Sequence, residues 1–218
     1  MNCLLVAATP LEIKLFIQHC RTTEKLSYID LELDFLITGV GMLNTTYALM
    51  KHIQVKKPQV IIDAGIAGSF SKKYQPGSVL VVKEEVLADL GVDEKEGYKD
   101  VFDLKLAQPN QFPFTKKLLV NPYTEFLERT SLLQVRSITV NQITTSKKKT
   151  ELYKKKYKGA IENMEGAAVH YVCLKENIPF VQIRSISNYV GDRNKKNWKI
   201  KEAVANLNTE LIRLVESL

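Results

Sequence analysis

Val60-Ile61-Ile62-Asp63-Ala64-Gly65-Ile66-Ala67-Gly68-Ser69 is a run of β-branched apolar residues that gives way to glycines and small side chains. Residues 60–64 predict a strand buried on both faces, the habit of parallel sheets. Residues 65–69 then predict its exit, either a tight turn or a loop that lets a ligand approach the backbone. The same reading extends in both directions. Upstream, residues 3–8 form an apolar strand, followed by Pro10-Leu11-Glu12 and an amphipathic stretch over 13–20. Residues 31–38 alternate and end in Gly39-Val40-Gly41, ahead of a helical pattern over 44–53. Downstream, Pro76-Gly77 marks a turn, 78–82 and 135–140 read as strands, and 161–175 carries a helical pattern. Residues 180–186 read as the last buried strand and 200–215 as a C-terminal helix.

Strands alternating with helices predict an α/β chain. The expectation is a single three-layer domain over 1–218, with a mixed, mostly parallel central sheet flanked by helices. Residues 91–133 are polar, contain prolines and are weakly periodic, so they are expected to be an excursion near a ligand mouth. Ligands of such sheets collect where strands end at their carboxyl side. The positions to inspect are therefore Thr9–Glu12, Gly39–Gly41, Gly65–Ser69, Glu84–Asp89, Asn141–Ser146 and Ser187-Asn188.

The chain has 218 residues, of which 45% are hydrophobic and 25% charged, which excludes wholesale disorder. Its apolar runs are far shorter than the ~20 residues of a membrane span, so no membrane partner is expected. The opening MNCLLVAATP lacks a basic leader and reads as a core strand. Three scattered cysteines, Cys3, Cys20 and Cys173, argue for a reducing, cytoplasmic setting, not a disulfide framework. His19, His52 and His170 have no metal-ligand spacing, and no nucleotide-binding fingerprint occurs; neither metal nor cofactor is expected. The net charge of +7 is concentrated in two Lys-rich stretches, 147–158 and 193–201. Without interleaved aromatics or a recognition motif these read as solvated faces, so no nucleic-acid partner is expected. An acidic small substrate is the milder explanation to keep.

Two segments carry chemistry. In Asn163-Met164-Glu165-Gly166-Ala167-Ala168 a carboxylate stands at the start of a helix. It either complements the helix N-terminus or accepts hydrogen bonds from vicinal hydroxyls of a ribose, with Met164 as a soft surface for the sugar. In Gln182-Ile183-Arg184-Ser185-Ile186-Ser187-Asn188 a cation lies within a buried strand, so Arg184 requires an acidic partner or an anion. Asn188, at the strand exit, is either a turn former or a planar donor and acceptor suited to a purine edge.

These segments, taken in order with Ala8-Thr9-Pro10-Leu11-Glu12, Gly39-Val40-Gly41, Gly65-Ile66-Ala67-Gly68 and Gly77-Ser78-Val79-Leu80-Val81-Val82, resemble the nucleoside phosphorylase and nucleosidase superfamily. Within it they are most similar to the branch holding methylthioadenosine/S-adenosylhomocysteine nucleosidase and futalosine hydrolase. The resemblance implies a nucleoside phosphorylase-like fold and hydrolysis of an N-glycosidic bond through an oxocarbenium-like transition state. It implies that Glu12 orients the attacking water, that Arg184 supports that site, and that Met164 and Glu165 bind the ribose. It places Ala67 and Gly68 beside the sugar, and Ser187 and Asn188 at the base. Where the adenine-specific nucleosidases carry an Asp general acid, this chain has Asn188. A carboxamide supplies no acidic proton but donates well to a 6-oxopurine, whose oxygen takes up charge. The futalosine hydrolase branch, which releases hypoxanthine in menaquinone biosynthesis, is therefore preferred. The segments 188–193 and 197–200 and Asn206-Leu207-Asn208 also look like that branch. Arg193 or a neighbouring Lys is expected to meet the substrate's carboxylate. Phe102, Phe112 or Phe114 is expected to wall its aromatic tail. The alternatives are methylthioadenosine/S-adenosylhomocysteine nucleosidase, purine nucleoside phosphorylase, and a non-catalytic nucleoside-binding protein. The resemblance also implies a homodimer or larger homo-oligomer.

Overall fold

A computed structural model describes residues 1–22 and 31–218. Strand β1 (Asn2–Ala7) runs parallel to β2 (Glu32–Ile37) on one side and β3 (Val60–Ser69) on the other. Helices α1 (Pro10–Thr22) and α2 (Met42–Val55) cover this part of the sheet. Successive side chains of β1 alternate between two cores, as the strand period requires. Leu5 and Ala7 pack with Ile13 and Phe16 of α1, and Leu4 and Val6 pack with Leu49 and Ile53 of α2. That double burial explains why the strand reads as one unbroken apolar run.

The second half of the chain contributes β4 (Val79–Leu87), the hairpin β5 (Gly91–Glu94) and β6 (Gly97–Asp100), β7 (Phe114–Thr115) and β8 (Leu118–Val120). After α3 (Thr124–Glu128) come β9 (Gln134–Thr139), α4 (Lys147–Tyr157), β10 (Ile161–Asn163) and α5 (Gly166–Glu176). Strand β11 (Phe180–Tyr189) leads to a short turn at Lys195–Asn197 and the last helix, α6 (Ile200–Glu216). Helix α6 buries Ala203, Val204, Leu207, Leu211, Leu214 and Val215, the apolar stripe of an amphipathic helix.

The sheet is mixed, but it does not form the middle of three flat layers. Strand β11 pairs with both β3 and β4, β4 pairs with β9, β9 with β10, and β10 with β3, so five strands close into a ring. The physical reason is the length of β3. Residues Cys3 to Val6 of β1 pair with Val60 to Asp63, while the same edge farther along, at Gly68 and Ser69, pairs with β10. A strand shared between two neighbours on one edge leaves the plane of the open sheet and curls it shut.

Three boundaries differ from the sequence reading. Residues 65–69 do not leave the strand; they are its second half, paired with β11 throughout and with β10 at Gly68 and Ser69. Residues 161–163 form β10 and not the first turn of a helix. Residues 91–133 contain the β5–β6 hairpin and send β8 into the main sheet beside β4. No described helix is long and apolar enough to cross a membrane.

Candidate active site

The carboxyl ends of β1, β3, β9, β10 and β11 converge on a cavity of ≈ 340 Å³, within the range that holds a small ligand. Thr9 and Glu12 approach from one side, Ile66 to Gly68 form the floor, and Glu165, Ser187 and Asn188 line other walls.

Glu12 sits in the first turn of α1 and is 7% exposed. Its Oε2 accepts from the Thr9 amide and the Thr9 hydroxyl, both at 2.9 Å, and its Oε1 accepts from the Ile66 amide at 3.1 Å. Three donors fix the orientation of the carboxyl group. Asn208 of α6 fixes the helix that carries it. The Asn208 Nδ2 donates to the Glu12 carbonyl at 2.8 Å and its Oδ1 accepts from the Phe16 amide at 2.7 Å. Those two backbone groups are i, i−4 partners within α1, so a buried carboxamide from the far end of the chain clamps the turn bearing Glu12.

Arg184 lies behind the cavity, fully buried in β11. Its Nη2 donates to Asp63 Oδ2 at 2.6 Å, with both side chains at most 2% exposed. Burial opposes the charge, but Asp63 and the nearby Glu165 and Glu12 outweigh it and raise the guanidinium pKa. A Cβ built on Gly65 would lie 3.0 Å from Glu12 Oε1 and 3.2 Å from Arg184 Nη1. The glycine leaves room over β3 for both side chains.

Glu165 occupies the residue before α5 but does not cap it. Asn163 Oδ1 accepts from the amides of Glu165 and Gly166, at 2.9 and 2.6 Å, and Thr139 Oγ1 accepts from Ala167 at 2.8 Å. With the helix end satisfied by others, Glu165 reaches across to accept from the Gly41 amide at 2.9 Å through Oε1. Burial pushes its pKa up, against the opposing pull of Arg184 and the Gly41 hydrogen bond. Asn163 in turn is held by Glu85 at 2.6 Å, and Glu85 also binds Gln182 and Thr139.

The register of β11 against β3 shifts between Ile186 and Asn188, with Ile186 opposite Ala67 and Asn188 opposite Gly68. Ser187 is the extra residue of a β-bulge, a device that re-aims a side chain. Without it Asn188 would share the face of the buried Ile186. With it Asn188 lines the cavity, its Nδ2 donating to the Tyr189 carbonyl at 2.9 Å and its Oδ1 placed 2.7 Å from Ser187 Oγ. The carbonyl partner fixes which end of the amide is nitrogen and leaves its second N–H for a ligand.

At the mouth, the guanidinium of exposed Arg193 stands 5.2 Å from the Trp198 ring centroid, and Trp198 Nε1 donates to the Asp192 carbonyl at 2.9 Å. Leu11, Val40, Ile143, Val190 and Ile200 supply the apolar surface.

The structure thus gathers Glu12, Ala67, Gly68, Met164, Glu165, Ser187, Asn188 and Arg193 around one cavity, with Arg184 directly behind. It does not bring Phe102, Phe112 or Phe114 there. Phe102 and Phe114 meet edge to face at 5.1 Å, Phe114 meets Tyr171 at 6.1 Å, and Phe112 lies under Lys175. Trp198 and aliphatic residues line the mouth instead. Sequence reasoning also passed over Asp63, Glu162 and the clamp made by Asn208. Asp63 was discoverable, as an acid within the same apolar run that faces a buried cation. The role of Asn208 was not, because it depends on a contact across 192 residues.

The sequence profile described as the phosphorylase superfamily matches residues 4–218. A futalosine hydrolase of Thermus thermophilus is 30% identical over 182 residues, covering 83% of this chain and 80% of the relative. A 5′-methylthioadenosine/S-adenosylhomocysteine nucleosidase of Buchnera aphidicola (subspecies Baizongia pistaciae) is 27% identical over 80% of this chain and 69% of its own length. Among solved structures, a mutant Helicobacter pylori MTAN with 5′-methylthioadenosine in the active site superposes with a TM-score of 0.81 at 18% identity, covering 100% of this chain and 99% of that one.

Proposed function

The chain belongs to the phosphorylase superfamily, and from that premise we propose that it hydrolyses the N-glycosidic bond of futalosine, releasing hypoxanthine and dehypoxanthine futalosine, a step of menaquinone biosynthesis. The observation that carries the reading is the shared cavity: Glu12 and Asn188, from opposite ends of the sequence, line one space with Glu165. The 30% identity to a futalosine hydrolase over most of both chains supports the same substrate.

Three demands follow from breaking such a bond. A water must be held at the anomeric carbon, the cationic sugar must be oriented, and charge on the leaving base must be stabilised. In our reading Glu12 accepts the proton of the attacking water, with the buried Arg184–Asp63 pair behind it. Glu165, already anchored by Gly41, turns its other oxygen to the 2′- and 3′-hydroxyls, with Met164 against the sugar face. Asn188 donates its second N–H to the purine. A carboxamide cannot protonate N7, so the base must carry its own charge sink, and the 6-oxo group of hypoxanthine is one. Arg193, beside Trp198, meets the carboxylate of the 5′ tail.

Hydrolysis is favoured over phosphorolysis because, among the described residues lining the cavity, the only cation is the exposed Arg193 at its mouth. A phosphate near the sugar would meet Glu12 instead. The nucleosidase relatives support methylthioadenosine as the second reading, and Asn188 in place of an acid weighs against it. We also place the enzyme in the cytoplasm, consistent with three free cysteines. We further propose a homodimer or larger homo-oligomer, assembled through the exposed Leu11, Leu43 and Tyr47 of α1 and α2. Incubation with futalosine, inosine and methylthioadenosine, with and without phosphate, tests the reading. Hypoxanthine should leave futalosine fastest and independently of phosphate; faster release of adenine from methylthioadenosine would refute it.

A further inference from the structure

Glu85 is a carboxyl that the mechanism above does not use. It lies in β4, fully buried and outside the lining of the cavity. Three other strands of the ring aim donors at it. Asn163 Nδ2 of β10 and Gln182 Nε2 of β11 donate to its Oε1 at 2.6 and 2.9 Å, and the Thr139 hydroxyl of β9 donates to its Oε2 at 2.9 Å. Gly166, the first residue of α5, makes room for it, since a Cβ there would lie 2.1 Å from Oε1. A buried carboxyl is costly to hold. This one is held against the helix start that Glu165 directly precedes.

The inventory of donors and acceptors gives that carboxyl a task. A carboxamide offers N–H groups on one side and an oxygen on the other, and a hydroxyl has a single hydrogen. With one N–H on Glu85 and the second on Ser137 Oγ at 2.8 Å, Asn163 can present only its oxygen to the helix. That oxygen takes the amides of Glu165 and Gly166. The Thr139 hydroxyl, its hydrogen turned to Oε2, is left as an acceptor for the Ala167 amide. Three amides of the helix start are thus satisfied by two side chains whose polarity one buried carboxyl sets. Were either side chain reversed, the freed amides and the positive helix end would draw in the nearest carboxylate, which is that of Glu165.

We infer that Glu85 is a positioning residue for sugar binding: by orienting Asn163 and Thr139 as the caps of α5, it keeps the Glu165 carboxylate free for the ribose hydroxyls. The inference rests on the assignment of Glu165 to the 2′- and 3′-hydroxyls. Glu85 touches no part of the nucleoside, so its effect falls on the ribose and not on the base. What it supplies is an acceptor in place, not a charge. A glutamine at 85 can keep its oxygen toward Asn163 and Gln182 and turn its NH2 to the Thr139 oxygen. The Thr139 hydrogen then turns to Asn163 Oδ1, 3.4 Å away, and both caps survive. Methionine keeps the volume without an acceptor, and aspartate withdraws the acceptors by a methylene.

The test compares wild type with Glu85→Met, Glu85→Gln, Glu85→Asp and Glu165→Ala. The probes are 9-deazainosine, a carbon-linked nucleoside that cannot be hydrolysed, its 2′,3′-dideoxy form and free hypoxanthine, with Tm as a check on folding. Wild type should bind the ribo form roughly ten- to hundredfold more tightly than the dideoxy form, the worth of charge-assisted hydrogen bonds to the hydroxyls. Glu165→Ala should abolish that preference. Glu85→Met should cut it roughly fivefold or more by misplacing Glu165, with hypoxanthine affinity unchanged. Glu85→Gln should keep it within about threefold of wild type, since the caps survive. Glu85→Asp should fall between, and carries the comparison if the methionine variant does not fold. Adding Glu85→Met to Glu165→Ala should alter the ratio no further, because the two residues act as one unit. A preference that depends on Glu165 but is unchanged in the folded Glu85 variants, or equal losses for all three probes, would overturn this proposal alone. A preference independent of Glu165 would overturn the ribose assignment and this proposal with it.

Discussion

Each site residue is defined less by its type than by what already holds it. Glu12 has three donors on its carboxylate and stands at the sugar end of the cavity in our reading. Glu12→Gln is therefore expected to keep base binding and lose turnover by roughly 10²–10⁴-fold, the range of a general base, measured by single-turnover hydrolysis and by hypoxanthine titration. Asp63 acts at one remove. Its removal leaves a buried guanidinium uncompensated, and Asp63→Ala should cost about 3–5 kcal/mol of stability by denaturant unfolding. A loss below about 1 kcal/mol would mean that Arg184 finds another partner. Arg184 was legible as a buried cation in search of an acid, and Asn188 as a planar group at a strand end. The use of Glu165 was legible only as two alternatives. What separates them is Asn163, which satisfies the helix end itself and leaves the Glu165 carboxylate free to reach Gly41.

Among elements, the early strands and helices followed their periodicities, while the ends of β3 and β11, the short strand β10 and the strands within 91–133 did not. Glycines at 65 and 68 read as a strand exit because intrinsic propensity disfavours them in strands, yet pairing with β11, and at Gly68 with β10 as well, overrides it. The bulge at Ser187 leaves no trace in composition, since it is a relation between two strands. Asn208 provides the clearest element-level test. Asn208→Leu removes two hydrogen bonds between α6 and α1 and is expected to destabilise by about 1–3 kcal/mol. It should also lower kcat more than it raises KM, because the turn bearing Glu12 loses its clamp. A change confined to Tm would assign the residue to packing alone. On α5, a Cβ at Gly166 would come within 2.4 Å of Gln182 Nε2 and 2.1 Å of Glu85 Oε1. Gly166→Ala should therefore displace the helix start that carries Met164 and Glu165 and raise KM for nucleosides without altering the affinity for free hypoxanthine.

Over the whole molecule, the closed ring of strands gathers residues from both ends of the chain at one set of carboxyl termini. An α/β chain with a cavity at its strand ends was legible from the first apolar runs; the closure was not, because it depends on which edges a long strand shares. The fold also carries a pH signature. His170 is fully buried, and burial lowers its pKa from 6.5 to about 3 even though the Leu119 carbonyl favours its protonated form. A depressed value means that the unfolded chain takes up a proton before the native one does. Its contribution to stability is complete above pH ~6.5 and declines as pH falls toward 3. Thermal scans should show Tm dropping between pH 7 and 5, with His170→Gln flattening that slope; an unaltered slope in the variant would move the dependence to other groups. The most direct measurement of the central assignment is a crystal structure of the Glu12→Gln protein with futalosine bound. The anomeric carbon should lie beside position 12, the ribose hydroxyls on Glu165 and the purine edge on Asn188. A nucleoside seated outside this cavity, or one whose base faces position 12, would contradict it.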